Sequence, residues 1–251
     1  MNSFISWIGG KNYLKKAINE EMPANFNRYV EVFGGAAWVL FSKDKQASME
    51  VYNDYNRDLV NLFRCVKYHR PELQRELSFM LNSRELFEDF KAQYNTSGMT
   101  DIQRAARFFF LLKTSYGSNG RSYGCIKKDI SVMNNYLESV EKRLSCVIIE
   151  NKDFEDLIKV YDKPGALIYC DPPYYGTEKY YQVMFSEPDH QRLYKTLSNI
   201  EGKFLLSYND CDYIRKLYKA FNMIQVSRMH NLKARYKDGQ NLYHELLIKN
   251  Y

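Results

Sequence analysis

Asp171-Pro172-Pro173-Tyr174 follows Ala166-Leu167-Ile168-Tyr169-Cys170, an apolar, partly β-branched run that reads as a buried strand. An acid, two prolines and an aromatic ring at the end of such a strand have the chemistry of a slot for a flat amine. Proline fixes φ and carries no N–H, so two in succession leave the carbonyl groups of the turn to accept hydrogen bonds from a ligand. Asp171 and the carbonyl of Pro172 are then placed to converge on one exocyclic amino group, while the ring of Tyr174 offers a face to the heterocycle that bears it. Taken alone, the same residues also describe an ordinary strand exit with a proline stop. Cys170 falls on the opposite face of the strand from Asp171 by alternation and is assigned to packing.

A second constellation lies far upstream. Tyr29-Val30-Glu31-Val32-Phe33-Gly34-Gly35 is a short strand running into paired glycines, followed by the apolar, helix-like stretch Ala36 to Phe41. Glycines between a first strand and its helix let the backbone approach a cofactor, although the spacing is not GxGxxG and argues against a dinucleotide. The next strand, Ser48 to Tyr52, ends in Asn53-Asp54. That places an acid roughly 20 residues after the glycines, where nucleotide-binding α/β folds hold ribose hydroxyls. Asp54 is therefore the ribose candidate; the alternative is an N-cap for a helix over 56–66, a role that Asn56 can also fill.

With Trp7-Ile8-Gly9-Gly10-Lys11 near the start and Phe204-Leu205-Leu206-Ser207 after the proline turn, five blocks stand in a fixed order. In that order and spacing the chain resembles the Dam-type DNA adenine-N6 methyltransferases over nearly its whole length. The resemblance implies S-adenosylmethionine as cofactor, with Trp7, Lys11, Asp54 and Asp171 at positions that match binding residues and Phe33-Gly34-Gly35 lining its methionine side. It also implies double-stranded DNA as partner, an antiparallel last strand as in class I methyltransferases, and target recognition in the divergent middle of the chain.

Helical periodicity dominates from Glu72 to Thr114, including 84–94 and 102–113, and gives way to a turn-rich loop over 115–124. Strand and helix alternate again from Val147: strands at 147–149, 166–170, 203–207, 223–227 and 242–249, helices at 154–160, 189–199 and 212–218. About seven strands with helices between them imply an α/β fold with a doubly wound sheet. With the resemblance, the expected fold is a Rossmann-like class I methyltransferase sheet built from residues 1–68 and 146–251, carrying an inserted, mainly helical target-recognition lobe at 69–145. In that lobe Lys113, Asn119, Arg121 and Tyr123 are types that read DNA grooves or wedge into the stack, and are the expected DNA contacts. Six basic residues (Arg104, Arg107, Lys113, Arg121, Lys127, Lys128) and no acidic ones lie between Gln103 and Lys128, a block that suits phosphates or a solvated helix face. A second strip, Arg228, Lys233, Arg235 and Lys237, is either a backbone clamp or a solvated hairpin.

Composition is compatible with an enzyme that acts on a polyanion. The 251 residues are 45% hydrophobic, and 36 Lys+Arg against 30 Asp+Glu give a net charge of +6, which permits nucleic acid without proving it. Five scattered cysteines without a C-x-x-C pair argue against zinc and against a disulfide framework, and fit a reducing cytoplasm. There is no apolar signal core and no membrane-length apolar run, so no membrane partner is expected. The four histidines lack metal spacing and are expected at the surface or at caps; no metal is expected.

Transfer to an adenine amine requires that a lone pair delocalised into the ring be turned toward the methyl donor. Asp171 and the Pro172 carbonyl, accepting from both N6 hydrogens, do this and stabilise the charge that develops on nitrogen. The reaction is a direct displacement and needs no cysteine nucleophile. A duplex hides N6, so the base must be flipped, with Tyr174, or alternatively Tyr175, stacking on it and the stretch 176–185 closing over it. Asp153-Phe154 either flanks the cofactor adenine or caps a helix. Two other readings stay open: the same chemistry on another planar amine, such as cytosine N4 or a glutamine amide, whose enzymes carry Ser or Asn in place of Asp171, and a catalytically silent DNA-binding relative. One target base per binding event needs only a monomer.

Overall fold

The computed structural model describes residues 1–118, 120–125, 134–177, 185–229 and 242–251. Its elements in chain order are α1 (Lys15–Glu20), β1 (Arg28–Glu31), β2 (Met49–Asn53), α2 (Arg57–Tyr68), α3 (Arg70–Ser78), α4 (Arg84–Ala92), α5 (Asp101–Thr114), α6 (Asn134–Leu144) and β3 (Val147–Glu150). They continue with α7 (Phe154–Tyr161), β4 (Ala166–Cys170), α8 (Glu187–Ser198), β5 (Lys203–Asn209), α9 (Asp212–Leu217), β6 (Asn222–Met229) and β7 (Leu242–Lys249). The strands form one sheet in the order β3-β2-β1-β4-β5-β7-β6. The first five run parallel, and β7 is antiparallel to both of its neighbours. This is the α/β, Rossmann-like methyltransferase architecture.

The chain winds outward from β1 to β2 and β3, then returns to place β4 on the other side of β1. The carboxyl ends of β1 and β4 therefore flank the point where the winding reverses, which is where a doubly wound sheet opens a crevice for ligands. The glycine turn leaves β1 and Asp171 leaves β4, so two motifs about 140 residues apart in sequence reach one crevice.

Side-chain alternation splits the core into two layers. Tyr29, Tyr52, Leu167, Tyr169, Leu205 and Leu247 face one side, where they share a continuous core with α2 and with Leu73, Leu77, Phe87, Phe109 and Leu137 of the helices after residue 69. Val30, Val51, Ile168, Cys170, Leu206 and Ile248 face the other, against α7, α8 and α9. Cys170 is thus a packing residue, and burial pushes its thiol pKa well up. Local signals set the helix starts. Asn56 caps α2 through the amides of Asp58 and Leu59, and Thr100 with Gln103 forms a capping box on α5. The buried pair of Arg143 with Glu50, at 2.7 and 2.8 Å, ties α6 to β2.

Two expectations fail. The stretch Ala36 to Phe41 is not a helix but a series of turns ending in one 3₁₀ turn at Leu40–Ser42. Gly35 (φ +50°) and Ala37 (φ +55°) are left-handed, and Glu31 takes the amide of Leu40 that a helix would pair internally. His190 is neither at the surface nor a cap. It lies with Leu193 and Leu197 on the buried face of α8, paired through Nδ1 with the Tyr208 hydroxyl.

Candidate active site

The crevice holds a cavity of about 240 Å³ lined by Trp7, Lys11, Phe33, Gly34, Gly35, Asp54 and Asp171 among others, so the seven residues expected at a cofactor share one space. Its floor is the turn after β1. Gly34 donates its amide to Asn53 O at 2.7 Å, and Gly35 donates to Asp54 Oδ2 at 2.9 Å. The other Asp54 oxygen accepts from Asn56 N at 2.8 Å. Burial raises the Asp54 pKa, while these amides and that of Tyr55 hold it down in part. Asp54 therefore braces the glycine turn, and the capping role falls to Asn56. The glycines are needed for the chain's own packing: a Cβ on Gly34 would lie 2.2 Å from the Tyr52 ring, and one on Gly35 3.0 Å from Trp7 Cδ1.

At the β4 end, Lys11 reaches over the mouth of the strand. Its Nζ lies 2.7 Å from Asp171 Oδ1, 2.9 Å from Gly9 O and 4.0 Å from Glu245 Oε2, and sits 4.8 Å above the Tyr174 ring. Tyr174 is set behind the cavity wall, its hydroxyl donating to Glu245 with Ser207 Oγ at 3.1 Å and its ring tilted against Tyr208. The Tyr175 ring is stacked on Tyr213 at 4.1 Å. Glu31 also lines this end and accepts from the Tyr29 hydroxyl and Leu40 N, both at 2.8 Å. Burial raises its pKa to about 8, the two hydrogen bonds oppose the rise, and the charge of Asp171 adds to it.

The opposite end is aromatic and more open. Asp153 caps α7 through Glu155 N and grips Arg192 with both oxygens, at 2.7 and 2.9 Å. Arg192 also reaches Asp189 at 3.0 Å and lies 4.1 Å over the Phe154 ring, so Asp153 both caps a helix and lines the cavity. Phe33 packs here, 5.7 Å from Phe154 and 5.8 Å from Phe185. Five acidic side chains (Glu31, Asp54, Asp153, Asp171, Asp189) and three basic ones (Lys11, Lys152, Arg192) line the cavity. With Gly34, Gly35 and Leu40 amides already paired within the chain, the site suits a cationic ligand with a flat ring better than a polyphosphate.

Of the lobe residues expected at DNA, the described ones, Lys113, Arg121 and Tyr123, do not line this cavity. Lys113 lies in the last turn of α5 with its Nζ 5.3 Å over Phe109. Ser115 and Tyr123 form an antiparallel bridge, and Arg121 beside Tyr123 is exposed. Tyr123 donates to Asn82 Oδ1 at 2.8 Å and packs against Arg84 and Phe87. Arg104 pairs with Asp101, and Arg107 with Gln93 and the Phe90 ring. Asn119, Lys127, Lys128, Lys233, Arg235, Lys237 and the stretch 178–184 lie outside the described residues, as does the side chain of Arg228. Among the described residues no group of His, Cys, Asp and Glu is arranged for a metal, and no helix is long and apolar enough to cross a membrane. Sequence reasoning missed Glu245, Arg192 and the paired state of Lys11. The available signal for Glu245 was an acid directly preceding the apolar run Leu246-Leu247-Ile248 of a strand.

The family model of the D12 class N6 adenine-specific DNA methyltransferases matches residues 7–232. The type II methyltransferase M.MjaIII of Methanocaldococcus jannaschii is 30% identical over 289 residues, covering 99% of this chain and 98% of the relative. The DNA adenine methylase of Serratia marcescens is 26% identical, covering 96% and 93%, and the retron Ec67 DNA adenine methylase of Escherichia coli is 26% identical, covering 95% and 86%. A match over that span, with a relative aligned end to end, means that the chain belongs to the D12 class of N6 adenine-specific DNA methyltransferases.

Proposed function

We propose that this DNA adenine-N6 methyltransferase draws its methyl group from S-adenosylmethionine bound in the crevice and delivers it to an adenine flipped out of duplex DNA. The observation that carries the reading is the ion pair of the buried Lys11 with Asp171 at the mouth of β4, in the same cavity as Asp54 and the glycine turn. S-adenosylmethionine supplies an electrophilic methyl group on a sulfonium, and its cationic character matches the acid excess of the lining. Trp7, Lys11 and the Phe33-Gly34-Gly35 turn hold its amino-acid side, Asp54 its ribose hydroxyls, and Asp153 with Phe154 its adenine.

Asp171 and the Pro172 carbonyl accept the two N6 hydrogens of the target, turn the lone pair toward the methyl group and stabilise the growing positive charge on nitrogen. Tyr174, fixed through its hydroxyl behind the cavity wall with Lys11 over its ring, reaches a flipped base only if Lys11 moves off that face when DNA binds. The lobe at 69–145 is the target-recognition unit, with Lys113, Asn119, Arg121 and Tyr123 at the duplex. The enzyme acts as a monomer in a reducing cytoplasm, which suits five free cysteines.

The test is Asp171→Ala with labelled donor and unmethylated DNA. Transfer should fall by at least ~10³-fold with the melting transition retained, and nucleoside digests of the parental product should contain N6-methyladenine alone. Near-parental turnover would mean that another group orients the amine, and N4-methylcytosine would move the chemistry to a different base.

A further inference from the structure

We infer that Glu245 is a positioning residue for methyl transfer: it shares the charge of Lys11 with Asp171 and so leaves the trio with a net negative charge facing the amine. The inference rests on the assignment of Asp171 to N6. Glu245 comes from β7, near the end of the sequence, and is fully buried. Its Oε2 accepts from the Tyr174 hydroxyl, lies 3.5 Å from Ser207 Oγ and is 4.0 Å from Lys11 Nζ. Lys11 is itself only 6% exposed and lies 2.7 Å from Asp171 Oδ1.

A carboxylate this deep is costly unless it is compensated. An anchor for the Tyr174 hydroxyl alone needs only a neutral acceptor, which a glutamine provides. The position of Lys11 gives the charge a purpose. Asp171 paired with Lys11 is close to a neutral dipole, which weakens its hold on a positive charge. Transfer brings one unit of positive charge onto N6, beside Asp171. A second carboxylate 4.0 Å from the same ammonium restores the negative field there at no reorganisation cost, since it is already held by Tyr174 and Ser207.

The experiment compares charged and neutral side chains of equal size in the full-length enzyme: the parent with Glu245→Gln, and Glu245→Asp with Glu245→Asn. Single-turnover transfer is measured at saturating S-adenosylmethionine and DNA, alongside both dissociation constants and the melting temperature. In each pair the charged member should transfer at least ~10-fold faster, while dissociation constants within a pair agree to about threefold. If Glu245→Gln does not fold, the aspartate and asparagine variants carry the comparison. Equal rates within a pair, or a loss accounted for entirely by weaker binding, would overturn the inference and leave Glu245 as an anchor for Tyr174. If Asp171→Ala is inactive while these pairs are equal, only this inference falls; an active Asp171→Ala removes the reading beneath it.

Discussion

The two ends of the cavity hold charge in opposite ways. Around Asp171 the described charges are sequestered: Lys11 is 6% exposed and Glu245 is fully buried. Around Phe154 the ions form a half-exposed net in which Arg192 serves Asp153, Asp189 and Glu155 at once, and Arg192 is 38% exposed. In the first setting a Coulomb interaction is strong and removal of one partner strands the other. In the second, solvent and salt screen each pair, and the arginine acts as much by lying flat on an aromatic ring as by its charge. On the proposed function, the end with buried charges is the one that needs a fixed field, whereas the end that holds a flat ring needs shape and tolerates water.

The largest test of this contrast is Lys11→Met. It leaves Asp171 and Glu245 facing each other without their shared ammonium, and denaturant unfolding should show a loss of about 3–5 kcal/mol together with loss of methyl transfer. A loss below about 1 kcal/mol, the range of exposed pairs, would erase the difference between the two ends.

Glu31→Gln sharpens the buried side through pH. The folded-state pKa of Glu31 is raised to about 8 from its ordinary 4.5, so folding favours the neutral acid. Its stabilising contribution is complete below the unfolded value and is lost as pH rises through the folded one. The melting temperature of the parent should therefore decline across that interval more steeply than that of Glu31→Gln, which keeps an acceptor for Tyr29 and Leu40 but cannot ionise. Parallel pH profiles would mean that Glu31 ionises as an exposed acid does.

The smallest effect belongs to Arg192→Ala. Stability should change by less than about 1 kcal/mol and less still at high salt, while S-adenosylmethionine binding, read by calorimetry, weakens several-fold because Phe154 loses the guanidinium on its outer face. A stability loss as large as that of Lys11→Met would show that the open end is as tightly coupled as the closed one.

Strands and motifs were legible because their signals are local. The run Ala166 to Cys170 and the run Leu242 to Lys249 form β4 and β7 with the expected limits, and the glycine turn, Asp54 and Asp171 meet because the winding rule brings the ends of β1 and β4 together. What stayed hidden depends on contacts between distant parts of the chain. Nothing near Lys11 reveals that a carboxylate more than 200 residues away completes its surroundings. The glycines were recognisable as a turn, but the rings that require them, Tyr52 and Trp7, come from other segments. His190 was readable after all: its spacing to Leu193 and Leu197 is that of one helix face. A rule about polarity outweighed the periodicity, and an aromatic surround with a Tyr208 partner satisfies the imidazole.

The insertion of β7 between β5 and β6 has a bearing on when the enzyme becomes competent during its synthesis. Until residues 242–249 have been added, β5 has an open edge, β6 has no sheet to join and the Tyr174 hydroxyl lacks its carboxylate partner, Glu245. A chain that ends before β7 therefore has its proline turn and glycine turn but lacks the strand that joins β5 to β6, and its crevice is incomplete at the Tyr174 side.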